Sequence, residues 1–177
     1  MLVSLLLAPL LGCATGMKMS AKDIKNLKPG EGLVLGSVRI EGGKDILGRT
    51  NWALVAEEVR EWPSFNLTDY TIEASRGGDE VVFLTKMPAG SYHFFRLVQP
   101  GFSTAKWAIW APFEVQPGKT VYVGRLIIKF PPGLINVLTK IHIQVEDARQ
   151  ATVERAEREY GIALSDVVTD LMIVNYN

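Results

Sequence analysis

Between residues 32 and 145 the chain is chopped into eight apolar segments, none longer than eleven residues. They lie at 32–40, 50–59, 68–75, 80–86, 91–99, 106–115, 120–130 and 138–145. Gly42-Gly43, Gly77-Gly78, Pro88-Ala89-Gly90, Pro100-Gly101, Pro117-Gly118 and Pro131-Pro132-Gly133 separate them. The segments are rich in Val, Ile and aromatic side chains, which suit a pleated, half-buried surface better than a helix. Proline fixes φ at a turn, and the glycine after it supplies the positive φ that many turns need. Short strands at this spacing predict a mainly β protein, an antiparallel sandwich or barrel spanning 31–145.

The last 32 residues, 146–177, read differently. Residues 146–160 lack Gly and Pro and place Glu154 and Arg158 at i,i+4, so a helix is expected there, ending at Gly161. A second helix is expected from a Ser165-Asp166 cap through Val167, Val168, Leu171 and Met172. Their apolar faces are expected to rest on the outside of the sandwich.

The amino terminus carries an apolar run, Leu2 to Leu11, followed by Gly12 and Cys13, the chain's single cysteine. About ten apolar residues fit a signal h-region of roughly 7–15 residues and fall short of the roughly 20 that span a bilayer. Read as residues alone, the run also suits an apolar strand with a buried thiol. Leu10-Leu11-Gly12-Cys13 resembles the lipobox of bacterial lipoproteins. The resemblance implies cleavage after residue 12, a diacylglycerol thioether on Cys13 and acylation, often with palmitate, of the new terminus. Residues 13–30, with four lysines, then form a lipidated tether. Ala14 in place of Asp resembles the sorting pattern for an outer-membrane destination where the host has two membranes.

Formal charge is zero, 19 basic against 19 acidic residues. No long-range field gathers nucleic acid or an anionic membrane face, so membrane attachment falls to the lipid. A single cysteine excludes an internal disulfide and a cysteine-rich zinc site.

Met87-Pro88-Ala89-Gly90-Ser91-Tyr92 resembles the turn that enters a central strand in transthyretin-like or carboxypeptidase-regulatory-like β-sandwiches. Residues 32–38 resemble their opening strand and 113–123 their closing hairpin. The resemblance covers about 32–130 and implies a prealbumin-like sandwich used as a structural or adhesive unit, with the C-terminal helices as a departure.

Chemistry is sparse. The two histidines, His93 and His142, sit in separate apolar segments, and no Gly-x-Ser-x-Gly elbow, His-Glu-x-x-His pair or EF-hand loop is present. Each histidine is expected to be satisfied or solvent-facing, with no catalytic residue, metal or cofactor assigned. Adjacent acids (Glu57-Glu58, Asp79-Glu80, Glu146-Asp147) point to opposite faces of a strand and make poor acid–base pairs. The tryptophans say more. Trp107 shares parity with Ile109, Phe113 and Val115, hence core; Trp110 shares parity with Ala108, Pro112 and Glu114, hence surface. Trp52, Trp62, Phe65 and Tyr70 form a second aromatic group around a proline-containing stretch.

The sequence therefore describes a non-catalytic, lipid-anchored envelope lipoprotein whose sandwich acts as a structural or protein-interaction module. Cys13 supplies attachment, and Trp110 and Trp62 are the candidate contacts. The alternative is a carbohydrate- or peptidoglycan-binding module that stacks sugar on the same tryptophans.

Overall fold

In a computed structural model, residues 21–42, 51–59, 69–75, 79–99, 105–132 and 140–174 are described. Cys13, Trp62 and Phe65 lie outside them, as does the apolar run before Cys13. The order of elements is α1 (Ala21–Lys25), β1 (Glu31–Glu41), β2 (Trp52–Glu58), β3 (Tyr70–Ser75), β4 (Val81–Pro88), β5 (Gly90–Gln99), β6 (Ala105–Val115), β7 (Thr120–Lys129), β8 (His142–Glu146), α2 (Arg149–Tyr160) and β9 (Val167–Thr169). The strands form two sheets packed as a sandwich. Sheet A runs β4-β1-β7-β8, with β9 also on β7; sheet B runs β3-β2-β5-β6.

The sandwich is mixed, a correction to the all-antiparallel expectation: β1 and β7 pair in parallel, as do β7 and β9. Two proline-glycine turns explain the first case. Lys119 N–H donates to the Gln116 carbonyl at 3.2 Å across Pro117-Gly118, and Glu31 N–H donates to the Lys28 carbonyl at 3.0 Å across Pro29-Gly30. Gly118 has φ +69°, the left-handed value the third position of a type II turn demands. The turns lie side by side, joined by Gly118 N–H to the Glu31 carbonyl and Leu33 N–H to the Lys119 carbonyl. Both strands leave from the same end, so they run the same way.

Sheet A is buried on both faces along most of β1, which therefore shows a nearly unbroken buried pattern instead of an alternation. Val34, Val38 and Ile40 join Leu54, Phe94, Ile109 and Val123 in the core between the sheets. Leu33 and Leu35 face the other way, packing with Ile24 of α1 and with Tyr122, Ala156 and Ile162 beneath α2. At the heart of the main core Trp52 meets Trp107 and Phe130, with ring centroids 5.3 and 5.0 Å away.

The free edge of β7 is divided between two strands. β9 pairs with residues 120–122 and β8 with 125–129. Between them β7 bulges against β1, two residues opposing Gly36, and Gly124 takes φ +108°. A Cβ there meets Val145 Cγ1 at 2.7 Å, so glycine answers both a dihedral and a space requirement.

One C-terminal helix forms, and Gly161 ends it in the left-handed conformation, as expected. It starts at Arg149 and not at 146, because Glu146 still pairs with Arg125 in β8. Its i,i+4 contacts are Arg155–Glu159 at 2.6 Å and Gln150–Glu154 at 3.0 Å, so Glu154 pairs with Gln150 instead of Arg158. The expected second helix is instead strand β9. Asp166 has φ +55°, unlike the extended cap residue of a helix, and β-branched Val167 and Val168 complete the open edge of β7. Val167 then faces the core beneath α2 and Met172 the core between the sheets.

Candidate functional site

The outer face of sheet B carries the one surface tryptophan among the described residues. Along β6, Trp107, Ile109, Ala111, Phe113 and Val115 are buried while Ala108, Trp110 and Glu114 are exposed, as their parity requires. Trp110 is 47% exposed.

Its ring is not free to swing. It lies over the His93 imidazole, centroids 4.1 Å apart and planes tilted by 36°. His93 sits in β5 opposite Glu57 of β2 on one side and Pro112 of β6 on the other. His93 is itself only 6% exposed, and its Nε2 lies 3.2 Å from Glu57 Oε1. Nε2–H thus donates to the carboxylate. Nδ1 is buried with no hydrogen-bond partner. Burial pushes the His93 pKa below its ordinary value, and the charge and hydrogen bond of Glu57 oppose that only in part. A neutral imidazole therefore lies under Trp110 at neutral pH.

A bulge completes the face. Phe94 and Leu97 are both fully buried although three residues apart, so the alternation of β5 breaks between them: Phe95 is the extra residue against β2, while against β6 the two residues Ile109 and Trp110 oppose Phe95. Phe95 and Arg96 are both left half-buried. The Arg96 guanidinium lies 4.2 Å over the Phe95 ring and pairs with Asp69 at 2.8 Å, and Phe95 reaches the His93 ring with centroids 6.0 Å apart. Glu57, Glu73 and Glu114 stand on the same side of the sheet as Trp110 by register.

This geometry does not prime a nucleophile. Nε2 faces a carboxylate, Nδ1 faces no hydroxyl or thiol, and Trp110 covers the ring. His142 is exposed at the start of β8, in the other sheet. The remaining acidic pairs do structural work: Glu80 meets Arg125 at 3.1 Å, and Asp147 accepts the Arg149 N–H at 3.1 Å where α2 begins. Among the described residues, no three His, Cys, Asp or Glu side chains gather into a metal site, and no helix is long and apolar enough to cross a membrane. The arrangement presents a rigid flat ring beside carboxylates. Sequence parity found Trp110; it missed Glu57, whose place beside His93 depends on the pairing of β2 with β5.

No family model, curated protein or solved structure matches this chain.

Proposed function

We propose that the chain is a non-catalytic lipoprotein of the bacterial cell envelope, held by lipid on Cys13, whose sandwich presents the outer face of sheet B to a second envelope component. The observation that carries the reading is Trp110, a large ring half open to water yet fixed in place by the imidazole beneath it. Exposed aromatic side chains with little rotamer freedom left to lose are the usual anchors of recognition surfaces.

The position of the tether supports the same reading. Ile24 of α1 is buried beside α2 on the sheet A side, so the chain from Cys13 to Ala21 is eight residues and reaches at most about 28 Å. The anchor then holds the sandwich close to the bilayer by sheet A, and Trp110 faces away from that side. On this reading the domain is of the transthyretin-like kind. Supporting that, Pro88-Ala89-Gly90 is the corner that carries the chain from β4 in sheet A into β5 in sheet B, and the Tyr92 hydroxyl bonds back to the Pro88 carbonyl at 3.1 Å.

Mass spectrometry of protein taken from membranes tests the anchor; the expected species begins at an acylated Cys13, and Cys13→Ala is expected in the soluble fraction. An intact Met1 with a bare thiol refutes the lipid. Photo-crosslinking in cells from a probe at position 108, exposed beside Trp110 on β6, tests the face, which is refuted if position 108 captures nothing.

A further inference from the structure

We infer that the outer face of sheet B binds an uncharged pyranose of a glycan, stacked on Trp110, with Glu57 accepting hydrogen bonds from its hydroxyls and His93 as the positioning residue under the ring. The inference rests on the proposal that this face is the contact face; it does not require the lipid.

The shape of the platform comes first. Glu57, His93 and Trp110 lie on three successive strands, β2, β5 and β6. Two strand spacings separate the outer pair, roughly 10 Å. A glycan laid on the indole and running across the strands therefore passes over β5 toward β2, the strand that carries Glu57. Indole supplies a flat apolar surface for the C–H face of a pyranose, and a carboxylate accepts two hydroxyl hydrogen bonds at once. The side chain of Glu57 is 29% exposed, and only its Oε1 meets Nε2.

Charge then narrows the class. The described cation beside the platform, Arg96, is already committed to Asp69 and to the Phe95 ring. Glu57 and Glu114 lie on the same side as Trp110. An anionic sugar or a phosphate meets the repulsion of these carboxylates, whereas a neutral one does not.

The exposed large apolar side chains described on this face are Trp110 and, past the end of β2, Val59. The polar rim suits a ligand the size of one or two sugar rings.

His93 has a clear part in this. A buried imidazole with an unpartnered Nδ1 is a poor choice for stability alone, since an unsatisfied buried polar atom is costly. Under Trp110 it fixes the indole plane before the ligand arrives.

The test uses the full chain as isolated from cells, titrated with cellotetraose, chitotetraose, an anionic oligogalacturonate and tetramethylammonium, read by calorimetry and tryptophan emission. At least one of the two neutral tetrasaccharides is expected to bind saturably, and oligogalacturonate at least tenfold more weakly. Trp110→Ala is expected to weaken binding at least tenfold and Glu57→Gln about fivefold, with near-ultraviolet dichroism otherwise preserved. His93→Ala is expected to weaken binding, and His93→Phe, which restores a flat ring, to recover it. No binding of either neutral sugar, binding indifferent to Trp110→Ala, or tighter binding of tetramethylammonium overturns the inference. If sugar fails while position 108 captures a protein in cells, the contact face stands and the glycan falls; if both fail, the face falls too.

Discussion

Replacing Gly124 with alanine is expected to destabilise the fold by about 2–4 kcal/mol, and the structure supplies an internal control for the reason. Gly124 and Gly118 both hold positive φ, +108° and +69°, but their surroundings differ. Around Gly118 nothing lies within 4 Å of an added Cβ, so Gly118→Ala meets only the backbone cost. That cost is about 1–2 kcal/mol for a non-glycine residue, reduced by about 0.4–1 kcal/mol because alanine also restricts the unfolded chain. At Gly124 the new methyl meets Val145 Cγ1 at 2.7 Å, and Val145 is β-branched and packed on the core, so it turns aside only with strain. Overpacking of this kind adds about 1–3 kcal/mol. At about 2–4 °C per kcal/mol for a domain of this size, Gly124→Ala lowers Tm by roughly 4–16 °C and Gly118→Ala by no more than a few degrees. Urea unfolding and scanning calorimetry on both variants measure the difference. Equal losses refute the argument that the handover of β7 from β9 to β8 is sterically closed to any side chain.

Further outcomes follow from the same contacts. The folded pKa of His93 lies below its unfolded value near 6.5, so the unfolded chain takes the proton first. Its contribution is complete above that pH and is lost as pH falls, so acid unfolding between pH 7.5 and 5 is expected to be shallower in His93→Phe; identical slopes refute this. Trp52→Ala, which empties a site 2% exposed between Trp107 and Phe130, is expected to cost about 3–5 kcal/mol. Trp110→Ala removes mainly a ring contact, about 0.5–1.5 kcal/mol, and denaturant titration that finds the two alike contradicts the assignment of core and surface. Tyr160→Phe leaves the Leu84 N–H of edge strand β4 without its 3.2 Å acceptor, at about 1–3 kcal/mol, with faster hydrogen exchange at that amide as the direct check.

Local chemistry was legible residue by residue. Pro117-Gly118 and Gly161 announce a turn and a helix end because their backbone preferences act within two or three residues of chain. The alternation from Trp107 to Val115 announces which tryptophan is buried, because a strand with one covered face repeats every two residues. Other features were hidden for an equally physical reason. Leu33, Val34 and Leu35 are consecutive apolar residues whose partners on each face belong to distant segments.

What the sequence determined by itself was the strand character of the segments between 31 and 145, the helix that ends at Gly161 and which face of β6 meets water, since these follow from neighbours along the chain. Only the tertiary structure decided that β1 runs parallel to β7, that 167–169 is a strand, and that Glu57 meets the nitrogen of His93 beneath Trp110. Those outcomes depend on which edges are open and which strands lie side by side. An unpaired backbone edge draws in whatever segment reaches it, whatever helix signal that segment carries.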